Sequence, residues 1–240
     1  MRRRIMARRP LPTPEPPADA GTVSGLPYTL WLPAGPPAGG LLVLHGAGSR
    51  KENHHDMATA ARAAGFAAVV ADLRGHGESA GALDGGVLDD LAALAGLLPD
   101  GPLALRGSSM GGYLALVAAA PLGARAVVAV CPASAAGLAR GLREGRLEFR
   151  ADVPAVEAFL ASHDEQAAAA ALYVPVLLLH AEGDETVPVE HSRRLAARLR
   201  HPHSRLIAVP GGHHRSVQHD AELQRAALRW LRDALDGAGG

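Results

Sequence analysis

Disulfide scaffolding is out of reach for this chain, because its 240 residues include a single cysteine, Cys131. One thiol is compatible with a reducing compartment, and a cytoplasmic location is the expectation. Net charge is missing as well. Lys and Arg number 24 and Asp and Glu number 24, so no overall field draws the protein toward nucleic acid or an anionic membrane. Small polar or neutral molecules are the expected partners, and composition says nothing of oligomeric state. No stretch reaches the roughly 20 uninterrupted apolar residues that a membrane span needs, which predicts a soluble protein. Internal repeats are not evident either, the alanine-rich stretches reflecting heavy use of the best helix former.

What is present divides into a tail and a long patterned body. The basic run MRRRIMARR is followed by PLPTPEPPADAGTVSG, rich in Pro, Gly and small polar residues. Prolines stand where an export signal needs an apolar run, so residues 1–25 are expected to form a disordered tail. Short apolar runs then alternate with longer helical patterns over residues 26–240. The runs fall at 28–32, 41–44, 67–71, 103–105, 126–130, 174–179 and 205–209. Several are apolar on consecutive positions, as strands covered on both faces are. Helices are predicted at 54–64, 87–98, 110–120, 191–199 and 221–235. Alternation of this kind predicts an α/β fold with a mostly parallel sheet flanked by helices. One connection, about 132–173, is too long and irregular for a simple crossover. It reads as a cap-like insertion with a short helix or two, a peripheral crossover being the alternative. Phe149, Phe159 and Leu160 in it are candidates to line a pocket or to pack a core.

Ligands in such folds sit beyond the carboxyl ends of the strands, so the residues that follow each run are the place to look for chemistry. After the run 103–105 comes Gly107-Ser108-Ser109-Met110-Gly111, which matches G-x-S-x-G with Ser109 at its centre. A serine on a strand-to-helix turn that tight leaves no room for side chains two positions before or after it. A hydroxyl is a poor nucleophile unless a base takes its proton, so a histidine and an orienting carboxylate must exist elsewhere. The run 174–179 is followed by His180-Ala181-Glu182-Gly183-Asp184-Glu185-Thr186-Val187-Pro188, and the run 205–209 by Pro210-Gly211-Gly212-His213-His214. Serine, acid and histidine thus follow one another in a single order.

LVLHGAGSRKENHHD, DLRGHGES, GSSMGG, HAEGDETVP and PGGHH together resemble the α/β-hydrolase superfamily, in its compact, esterase-like serine hydrolase branch. The resemblance covers about residues 27–235, and five motifs in order are far more specific than one. It implies the α/β-hydrolase fold with a small cap insertion after the sixth strand. It also implies that Ser109 is the nucleophile and Asp184 the acid, chosen over Glu182 and Glu185 by the x-D-x-x-V-P pattern. The base is a histidine of the PGGHH loop: alignment on Pro210 and Gly211 selects His214, with His213 the alternative. Donors for an oxyanion would be the backbone amides of Met110 and, from the His45-Gly46-Ala47-Gly48 segment, Ala47. Asp72 to Ser79 is expected to order a loop, His54 and His55 to sit on an exposed helix start, and Cys131 to be a small buried hydrophobe.

The chemistry so implied is acyl transfer to water on small to medium carboxylic esters, with no cofactor required. The remaining histidines match no metal-binding spacing. The same fold also hosts peptidases and acyl-peptide hydrolases, and non-catalytic binding proteins.

Overall fold

The computed structural model describes residues 16–237. Eight strands form one sheet: β1 (Asp19–Val23), β2 (Leu26–Trp31), β3 (Gly40–Leu44), β4 (Ala67–Ala71), β5 (Leu103–Ser108), β6 (Ala126–Val130), β7 (Val176–Ala181) and β8 (Arg205–Val209). Their spatial order is β1-β2-β4-β3-β5-β6-β7-β8. β1 pairs antiparallel with β2 and β2 with β4, and every later pairing is parallel.

The first strand lies inside the segment expected to be a disordered tail. Asp19 to Val23 carries little apolar surface and gives no strand signal of its own. It is ordered by register with β2, where Gly21 faces Tyr28 and the Tyr28 hydroxyl donates to the Asp19 carboxylate at 2.9 Å. The rest of that expectation, residues 1–15, falls outside the described residues.

Consecutive apolar positions in β3 to β7 serve two layers at once, since alternate side chains point to opposite faces. Leu42, Leu44, Val69 and Leu105 enter a core shared with α2 (Val87–Ala95) and α3 (Met110–Ala118). Leu41, Val43, Val70 and Ala104 enter the other core, with α1 (His55–Ala63) and α8 (Ala221–Asp236). The final helix is capped by Asp220, whose carboxylate accepts from the amides of Glu222 and Leu223.

The long connection after β6 holds three helices: α4 (Ala135–Arg143), α5 (Val153–Ser162) and α6 (Glu165–Ala171). Ser134, Asp152 and Asp164 cap them in turn. The third helix packs on α3 and on α7 (Val189–Ala196), as a crossover does. The first two, with Leu147 and Phe149, cover an apolar cavity of ≈ 20 Å³ that also involves Phe159, Leu160, Met110 and Tyr113. Among the described residues no helix is long and apolar enough to cross a membrane.

Candidate active site

Ser109 directly follows β5 and precedes the first turn of α3, with φ 55 and ψ −117. Positive φ at a non-glycine residue costs about 1–3 kcal/mol and persists only where its surroundings impose it. They do so here by three hydrogen bonds. The Ser109 amide donates to the Val130 carbonyl at 2.9 Å, and its carbonyl accepts from Tyr113 and Ala133, both at 3.0 Å. Glycine at 107 and 111 is a steric necessity. A Cβ on Gly107 would stand 1.9 Å from the Gly111 carbonyl oxygen, and one on Gly111 would stand 2.3 Å from the Leu44 carbonyl oxygen. The turn leaves the Ser109 side chain half-buried in a cleft of ≈ 360 Å³. Ser108 points inward instead, 1% exposed, its hydroxyl without a partner.

His214 lines the same cleft. Its Nδ1 lies 2.7 Å from Oδ2 of Asp184. The other oxygen, Oδ1, accepts from the amides of Thr186 and Val187, each at 2.8 Å. Burial works against ionising Asp184, but hydrogen bonds from His180 and His214 and the Val187 amide outweigh it and hold the carboxyl well below the usual range. The competing acids are elsewhere: Glu182 is exposed and paired with Arg193 at 3.0 Å, and Glu185 is exposed. His213 is exposed too, its Nδ1 accepting from the Arg215 amide. Of the two histidines left open by the sequence, His214 is the one placed against Asp184.

The two loops that bring acid and base together lock onto each other. Gly183 donates to the Gly211 carbonyl at 2.9 Å, and a Cβ on Gly183 would stand 2.4 Å from the Gly212 carbonyl oxygen. No role for Gly183 was assigned from the sequence, since the contact that demands a glycine comes from a loop about thirty positions away.

Ala47 and Met110 both lie at the site. Ala47 lines the cleft, and Met110 heads α3, where amides have no partner within the helix. A Cβ on Gly46 would come within 3.2 Å of the Ser109 Cβ, so this loop passes directly over the serine. His45 fixes its course, with Nδ1 2.8 Å from the Gly46 carbonyl and Nε2 accepting from the Leu73 amide at 3.0 Å. That pattern requires a neutral ring. Burial, helped by neighbouring His76, brings its pKa down to about 4. The segment Asp72 to Ser79 orders the loop as expected: Asp72 accepts from the Lys51 amide and ammonium, at 2.7 and 2.9 Å, and from the Glu78 amide at 3.0 Å.

Four residues depart from, or add to, what the sequence suggested. His54 is buried, 1% exposed, rather than on an exposed helix start, and His55 is half-buried. Arg106, inside β5, is 2% exposed; its guanidinium lies 3.3 Å from His54 Nδ1 and donates to the Gln218 carbonyl at 3.0 Å. The signal was available, since a lone arginine directly follows the run Leu103-Ala104-Leu105. Cys131 is buried as expected, but it has φ 43 and its thiol lies beside Asp184. Burial above all pushes that thiol up to about 12, so it is not a thiolate. Donor atoms of Cys131, Asp184 and His214 lie within 4.8 Å of one another, a set able to hold a metal ion, although Asp184 and His214 are already engaged with each other.

The fold is shared with known proteins. A family profile for the alpha/beta hydrolase fold matches residues 40–156, and one described as TAP-like protein matches 155–236. The chain belongs to the α/β-hydrolase superfamily. Among solved structures it is similar to the monoacylglycerol lipase of Paleococcus ferrophilus, at 22% identity and TM-score 0.70, over 87% of this chain and 99% of that one. Est1E of Butyrivibrio proteoclasticus, solved with ferulic acid bound, gives 20% identity and TM-score 0.72, over 91% and 100%. Mouse alpha/beta hydrolase domain-containing protein 10 gives 23% and 0.71, over 92% and 99%. None of the curated proteins compared matches the chain.

Proposed function

We propose that the protein is a serine hydrolase that cleaves small to medium carboxylic esters through an acyl-enzyme intermediate. The observation that carries the reading is the strained turn at Ser109, in one cleft with a His214 whose far nitrogen is held by Asp184 at 2.7 Å. With Nδ1–H donated to Asp184, Nε2 is the free acceptor, and it takes the Ser109 proton as the oxygen attacks the ester carbonyl. Amides of Met110 and Ala47 stabilise the resulting oxyanion, each worth about 3 kcal/mol in the rate. His214 then protonates the departing alcohol. Water repeats the sequence in reverse and frees the acid.

The acyl group lies toward the cap. Its apolar cavity of ≈ 20 Å³ has room for little more than one water, which favours short acyl chains. Lipase and esterase neighbours of the same fold agree with an ester as substrate.

Labelling with a fluorophosphonate, mapped by mass spectrometry, tests the nucleophile. The expected adduct is on Ser109 and disappears in Ser109→Ala. A nitrophenyl ester series should peak at acetate to butyrate, while peptide anilides stay uncleaved. Labelling on Ser108, or none at all, would sink the proposal.

A further inference from the structure

One wall of the cleft is polar, with Asn53, Arg215, Gln218 and His219 in the lining, and no Asp or Glu lines the cleft. Arg215 directly follows His214, and its side chain is exposed. Among the described residues no carboxylate comes within ion-pairing distance of its guanidinium; its recorded hydrogen bond is through the backbone amide. A second positive charge stands behind the same wall. Arg106 is 2% exposed and contacts the carbonyl of Gln218 and the ring of His54, neither of them an anion. Burial pulls its pKa down to about 10, which still leaves it charged at neutral pH. Asp56 offsets the Arg106 charge in part from beyond ion-pairing distance, while its Oδ2 lies 2.9 Å from His219 Nδ1 and accepts from Gln224 Nε2 at 2.8 Å.

Among the described residues two guanidinium groups without an ion-pair partner thus face or back a cleft whose lining holds no acid. A buried cation without a counterion is costly, and the missing charge is one a ligand can bring. The planar fork of arginine matches a carboxylate in geometry as well as in charge. Chemistry fixes which part of the ligand it meets. His214 must protonate the leaving oxygen, so the alcohol lies on the histidine side, where Arg215 is.

We infer that this polar side of the cleft binds a carboxylate on the alcohol portion of the substrate, Arg215 being its direct partner, so that the preferred esters are anionic. The inference rests on the ester-hydrolase reading and deepens it.

The test uses two esters with one acyl group and closely matched leaving phenols, 4-acetoxybenzoate and 4-acetoxybenzamide. Wild-type protein at low salt should favour the carboxylate about tenfold in kcat/KM, the value of one charge-assisted contact at a partly exposed site. Arg215→Gln should bring the ratio close to one and Arg215→Glu below it, and 0.5 M salt should shrink the wild-type preference. A wild-type ratio of one or less, or a ratio that both variants leave unchanged, overturns the inference. Calorimetry with 4-acetamidobenzoate and 4-acetamidobenzamide separates it from the reading beneath. Carboxylate-selective binding that Arg215→Gln abolishes, without turnover of either ester, keeps the anion site and rejects the hydrolase; neither binding nor turnover rejects both.

Discussion

Asp184→Asn changes one atom and separates the two tasks of that side chain. Oδ1 holds the turn through the amides of Thr186 and Val187, and Oδ2 meets Nδ1 of His214. The new amide can sit in two ways. With its oxygen toward the two amides, its NH2 faces His214, which must become an acceptor at Nδ1 and carry its proton on Nε2. With its oxygen toward His214, its NH2 confronts two N–H donors, and each orphaned amide costs about 1–3 kcal/mol. The first arrangement wins, because it gives up only the 3.3 Å contact from His180 Nε2, which keeps the Val187 carbonyl at 2.8 Å, whereas the second orphans two amides. It preserves the turn and leaves the imidazole in the tautomer that cannot accept the Ser109 proton, so kcat should fall by about 10⁴, as for a triad with the wrong tautomer. The thermal midpoint should stay within a few degrees. Steady-state hydrolysis of nitrophenyl butyrate and a melting curve on the same sample measure both. A kcat within tenfold of wild type, in a variant that melts normally, would falsify the assignment of His214 and Asp184 as base and acid.

Three further outcomes follow from the geometry. Gly107→Ala puts a methyl 1.9 Å from a backbone oxygen and should cost at least about 3 kcal/mol, read as loss of soluble folded protein or a large drop in chemical-denaturation midpoint; a variant of normal stability contradicts the turn. Arg106→Met removes the bond to the Gln218 carbonyl, which anchors the His214 loop to the serine strand, together with an unpaired buried charge. Turnover of a neutral ester should drop about tenfold while stability holds or rises, and the reverse pattern would mean that Arg106 serves the fold alone. Acid sensitivity comes from His45, whose folded pKa of about 4 lies below its ordinary 6.5. The folded state therefore binds fewer protons between those values. Stability from this residue is complete above pH 6.5 and is lost as pH falls to 4, about 3 kcal/mol in all, and a melting temperature flat across that window refutes it.

The sequence by itself determined the repeating strand and helix units, the place of the serine and the order of acid and base. Each follows from local causes: runs that alternate between two cores, and a turn that only Gly107 and Gly111 permit. It could not choose between His213 and His214, because an irregular loop has no period from which a side-chain direction can be read. Gly183 meeting Gly212 decided that, and they lie about thirty positions apart. Nor could it find β1, whose order comes from pairing with β2 rather than from its own residues. The balance of 24 positive and 24 negative side chains is a sum over the chain, whereas Arg106 and Arg215, neither of them in an ion pair, are a map of one cleft. Only the tertiary structure draws that map, because burial and distance, not count, decide which charges are left unanswered.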